Sequence, residues 1–122
     1  MIRIAITPPD ITDRVEARNI ATILDAGWDR VHLRHPGAST ADVRRILDDV
    51  PLRLHKRIVL HGHFDLVNDY NLGGLHLNHR CPVPPALYRG ALSMSCHSVD
   101  EALSMAPKMV YATLSPIFDS VS

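Results

Sequence analysis

The sequence predicts an α/β protein on a parallel sheet, and within that class an incomplete (β/α)8 TIM barrel of about six strands and five helices. Three observations predict it. Short apolar or β-branched runs alternate with runs of helical period, as βαβ units require. No G-x-G-x-x-G motif follows the first strand, which argues against a dinucleotide-binding sheet. Along the strands one set of alternate residues is apolar, while the other turns polar towards the C-terminal ends. A parallel sheet covered on both faces is apolar throughout, so this pattern suits a barrel whose outer face packs on helices and whose lumen opens into a polar site. A complete barrel takes at least about 200 residues. The 122 residues here are therefore expected to be one C-terminally truncated barrel domain, 1–122. The alternative is a small open α/β sheet, complete as it stands.

Each element has its own local reason. Ile2 to Thr7 alternates and is closed by Pro8-Pro9, a strand followed by a breaker. Asp13 and Glu16 approximate a capping box, with Ala17, Ile20, Ala21 and Leu24 on one helical stripe and Gly27 at its end. Val31 to Arg34 is the second strand. Ser39 caps a helix with Val43, Ile46, Leu47 and Val50 on one face, and Pro51 stops it. Arg57 to His61 is the third strand and Phe64 to Tyr70 a short helix. Gly74 to Asn78 is the fourth strand; Pro82 to Pro85 is irregular, with a helical turn after it. Ala91 to Ser95 is the fifth strand. Ser98-x-x-Glu101 is a capping box before Val99, Ala102, Leu103 and Ala106. Met109 to Leu114 is the sixth strand, and 115–122 a loop.

Composition excludes several function classes. Hydrophobic residues make up 46% and charged residues 21%, which is globular rather than disordered. Thirteen basic and thirteen acidic side chains cancel, and neither half forms a basic patch, so nucleic acid is not an expected partner. No apolar run reaches the roughly 18 residues of a membrane span, and the N-terminus is too short in apolar residues for a signal peptide. The expected compartment is the cytoplasm. Cys81 and Cys96 fit no metal or redox spacing and read as free thiols.

Chemistry is expected at one rim. Arg34, His61, His63, Asn78, His79, Ser95, His97 and Ser115 all fall at C-terminal strand ends, where barrel active sites lie. His32 and His76 are expected inside the lumen as hydrogen-bonded core, and His35 and His55 as loop residues without a role. His61-Gly62-His63 places two imidazoles on one face of an extended strand. With His79 or His97 they would hold a metal whose water hydrolyses an ester or amide. Against that reading, no carboxylate falls on the polar positions near the mouth.

The segments Val31-His32-Leu33-Arg34, Gly74-Leu75-His76-Leu77, Ser95-Cys96-His97-Ser98-Val99-Asp100-Glu101-Ala102 and Ser115-Pro116-Ile117-Phe118 follow in order. Together they resemble the thiamine phosphate synthase/TenI family of barrels. The resemblance implies thiamine biosynthesis on a small phosphorylated thiazole, either by magnesium-dependent coupling to a pyrimidine pyrophosphate or by thiazole tautomerisation. It also implies strands seven and eight beyond Ser122, without which the short form is expected to be inactive. At the positions that match the synthases' magnesium carboxylates this chain has Gly62 and Cys81, so no cofactor is expected. Proton transfer fits better, because imidazole titrates near neutrality. The resemblance makes His97 the acid/base. Arg34, His32, His61, His63, Asn78, His79, Ser95 and Ser115 would contact substrate. The other readings are a diverged synthase, the His-ligated metal hydrolase, and a binding protein without turnover.

Overall fold

Six short strands pair in parallel, in strict chain order, in a computed structural model that describes residues 2–11, 15–78, 81–96, 100, 103, 109 and 111–114. They are β1 (Ile4–Ile6), β2 (Arg30–Leu33), β3 (Ile58–Leu60), β4 (Gly74–Leu77), β5 (Leu92–Cys96) and β6 (Tyr111–Leu114). Among the described residues two α-helices are seen from end to end, α1 (Glu16–Asp25) and α2 (Thr40–Asp49). Every connection returns the chain to the next strand in the same direction, which is the βαβ arrangement the alternation predicts.

The helices form for the predicted reasons, with one exception. Ser39 caps α2, its hydroxyl accepting from the Asp42 amide at 3.1 Å. α1 has no side-chain cap: Val15 precedes it, and Glu16, expected to close a capping box, is buried against His35 instead. Asp13 lies outside the described residues. After Pro51 the chain makes a 3-10 turn over Leu52–Arg57, so the third strand begins at Ile58 rather than Arg57. The Arg57 guanidinium reaches back to carbonyls at the end of α1, including Leu24 O at 2.8 Å. Phe64–Asn68 is also 3-10. Asp100 and Leu103 are helical. The Ser98/Glu101 capping box and the loop after Leu114 lie outside the described residues.

Strand alternation sorts the sheet into two faces. Val31, Leu33, Ile58, Leu60 and Leu75 pack with Ile20 and Leu24 of α1 and Val43, Ile46 and Leu47 of α2 in one buried cluster. Burial of a Leu or Ile side chain is worth about 1.5–3 kcal/mol, so this cluster supplies the main stabilisation. The opposite face carries His32, Val59, His76 and Ser93. Gly73 permits the close approach of β4: a Cβ there would meet the Lys56 carbonyl oxygen at 2.3 Å. Among the described residues, no helix is long and apolar enough to cross a membrane.

Candidate functional site

Parallel register builds the polar face. Leu60 pairs with Leu75, so His61, one residue further, stands beside His76; His76 in turn pairs with Ser93, and Ser93 with Tyr111. Their side chains therefore share one row. His32 enters from β2, one row lower. The three imidazoles converge. His61 and His76 stack at 4.2 Å between ring centroids, and His32 lies 4.7 Å from His61 and 4.9 Å from His76.

Hydrogen bonds join these rings into a network. His32 Nδ1 and His61 Nε2 share a bond at 2.6 Å, and His32 Nε2 meets the Tyr111 hydroxyl. His76 engages two serines, Nδ1 with Ser93 Oγ and Nε2 with Ser95 Oγ, each at 2.7 Å. His32 and His76 are each 1% exposed. Burial, reinforced by the nearby His76 and Arg30, pushes His32 down to about 3, and burial pushes His76 down to about 4. Both rings are therefore neutral at physiological pH. Burial also raises the Tyr111 phenol, which stays protonated, with the Arg30 guanidinium 5.8 Å from its ring centroid.

At the strand ends this network meets a cavity of about 210 Å3, lined by Arg34, Pro36, His61, Gly62 and Cys81 among others. Asn78 fixes the rim, donating to His61 O at 2.9 Å and accepting from the Cys81 amide at 3.1 Å. Thr7 holds the backbone of Arg34, accepting from its amide at 2.9 Å. A larger cavity, about 530 Å3, lies against α1 and α2, lined by residues such as Ile11, Glu16, Arg45 and Ile46, and includes no strand-end residue.

The structure thus brings together His32, His61, His76 and Ser95, and sets Arg34 and Asn78 at the rim above them. His79, His97 and Ser115 lie outside the described residues. His63 lines the strand-end cavity beside His61, and the correction concerns its pairing with that residue. The strand ends at Leu60, and His63 takes a left-handed backbone conformation (φ 54°, ψ 41°). Its ring turns to Thr40 Oγ1 at 3.1 Å, so His61 and His63 do not form a His-x-His pair on one extended strand. His35 and His55 are also corrections. Each is 3% exposed, not a free loop residue. His35 Nε2 pairs with Glu16 and its Nδ1 meets Pro9 O at 3.1 Å, tying α1 to the end of β2. His55 Nε2 meets Leu47 O and Val50 O, each at 3.0 Å, and so closes the C-terminus of α2. Ser93 and Tyr111 complete the network, and the Arg30 guanidinium lies over the Tyr111 ring. Alternation puts Ser93 and Tyr111 on the polar face, but only the register shows that they meet the histidines.

Gly62 and Cys81 are neighbours at this rim, with a Cβ on Gly62 falling 3.9 Å from Cys81 Sγ. Magnesium takes oxygen ligands in near-octahedral geometry. A position without a side chain beside a thiol does not supply them, so these two residues do not fit that ion.

The fold and the site together define a parallel β/α protein whose polar chemistry is gathered at the C-terminal ends of its strands. The crystal structure of thiamine phosphate pyrophosphorylase from Bacteroides thetaiotaomicron is similar to it at a TM-score of 0.90 and 38% sequence identity, over 96% of this chain. The resemblance to the thiamine phosphate synthase family is therefore one of fold and sequence together. This chain spans 59% of the length of that protein. No family model matches the chain, nor does any curated protein.

Proposed function

We propose that this chain supplies the first six strands of a (β/α)8 barrel enzyme of thiamine biosynthesis that acts on a thiazole phosphate by proton transfer, as the TenI-type tautomerases do. The observation that carries the thiamine assignment is the 38% identity to a thiamine phosphate pyrophosphorylase across nearly all of this chain. The choice of proton transfer rests on the rim. Coupling to a pyrophosphate requires its leaving charge to be neutralised, and Gly62 and Cys81 offer magnesium nothing for that purpose. The rim offers neutral hydrogen-bonding groups and one guanidinium instead. Arg34 pairs with an anionic group of the substrate. Asn78 and Ser95 orient the ring, and His97 moves the proton. The name of the similar protein supports a second reading, a diverged synthase.

Turnover by the full-length protein separates the two. Isomerisation of the thiazole carboxylate phosphate without magnesium, reduced about 10²–10⁴-fold in His97→Ala, is the expected result. Isomerisation undiminished in His97→Ala contradicts the role of that imidazole. Magnesium-dependent coupling without isomerisation establishes the synthase.

A further inference from the structure

We propose that His32, His61 and His76 form a binding site for one transition-metal ion of the zinc class, with water completing the coordination. This goes beyond the thiazole chemistry proposed above; His61 and Ser95 border both sites, and His32 and His76 lie beneath them.

The geometry carries the inference. Each ring offers one nitrogen, and the three nitrogens all lie within 4.8 Å of one another. Zinc–imidazole bonds of about 2.0–2.1 Å in a tetrahedron set ligand nitrogens about 3.3 Å apart. The separations here, from the 2.6 Å of His32 and His61 up to that limit, bracket this value. The His61 and His76 rings stack at an interplanar angle of 17°, so seating the ion requires them to rotate until their nitrogens converge, with the strands held by their register.

Donor chemistry and surroundings agree. Imidazole nitrogen suits zinc and its neighbours in the first transition series, whereas magnesium needs oxygen. A metal-bound imidazole is normally fixed by a hydrogen bond at its other nitrogen. Tyr111 stands at His32 Nε2 when Nδ1 turns to the metal, and Ser93 or Ser95 holds the remaining nitrogen of His76. Three protein ligands leave a fourth position for water, the pattern of reactive rather than purely structural zinc sites. His61 also lines the 210 Å3 cavity at the strand ends, so the cluster borders the space open to small molecules. The described strand residues of this face include no Asp or Glu. The bound ion would keep its positive charge and favour an anionic guest there.

Zinc binding to the 122-residue chain tests this. Metal-free protein titrated with zinc chloride should take up one ion per chain. X-ray absorption at the zinc edge should show three nitrogen ligands at about 2.0–2.1 Å and no sulfur at about 2.3 Å. His61→Gln and His76→Gln should each weaken binding by more than about 100-fold, and Tyr111→Phe by about 10–100-fold, the usual cost of losing an orienting partner. His63→Ala should bind as tightly as the unaltered chain. Folded protein, checked by circular dichroism, that takes up no zinc would overturn the proposal. A sulfur ligand from Cys81 in the absorption spectrum, or loss of binding in His63→Ala, would overturn it equally. Because the spectrum is taken on the unaltered chain, poor folding of a variant leaves the test intact.

Discussion

Mild acid should destabilise this chain through two imidazoles, before its carboxylates begin to titrate. Burial holds His32 down to about 3 and His76 down to about 4. In the unfolded chain both titrate at about 6.5. Below pH 6.5 the unfolded state therefore binds protons that the folded state refuses, and stability falls as the pH falls. The stabilisation is complete above about pH 6.5 and is lost progressively down towards pH 4 and 3. Each group loses about 1.36 kcal/mol per pH unit within its window. Between pH 7.5 and pH 5 each imidazole costs about 2 kcal/mol, and the pair about 4 kcal/mol. Urea unfolding with EDTA present, followed by circular dichroism, reads this directly. With a slope of about 2 kcal/mol per molar, the midpoint should drop by about 2 M. His76→Gln, which removes one of the two groups, should retain about half of that drop. A midpoint that does not move between pH 7.5 and pH 5, or that moves equally in the variant, refutes the reasoning.

Other perturbations test separate parts of the fold. His35→Ala should cost about 3–5 kcal/mol in urea unfolding, because it takes away the imidazole paired with the buried Glu16 carboxylate. Gly73→Ala drives a methyl group into the Lys56 carbonyl and should cost at least about 1–3 kcal/mol, seen as a lowered thermal midpoint. Ser39→Ala removes the cap of α2 and should cost about 1 kcal/mol, with the midpoint again the readout.

The order of strands and helices was legible because alternation and helical period report burial directly, and in this chain burial follows them. Val31, Leu33, Leu75 and Leu77 read as one face and His32 and His76 as the other, and the parallel register keeps them so. What resisted reading was tertiary. Glu16 looks like a capping residue in sequence, and only the fold brings His35 to it across 19 positions. His55 reads in sequence as a loop residue without a role, yet the 3-10 turn after Pro51 brings its imidazole to the carbonyls at the end of α2. His63 does line the rim cavity, but its pairing with His61 on one strand face fails for the same reason. The His61–His63 spacing implies one face only while the backbone is extended, and the left-handed turn at His63 ends that condition. The cluster that does form joins three strands, and its partners are set by cross-strand register, which no local pattern encodes.

The proposed function requires a thiazole phosphate to dock at the C-terminal strand ends, on the polar face of the sheet. Nuclear magnetic resonance of the isotope-labelled protein during titration with that ligand is the most direct measurement. Saturable shifts at Arg34, His61, Asn78 and Ser95 are the predicted result. Shifts confined to Glu16, Arg45 and Ile46 beside the helices, or none at all, would contradict it.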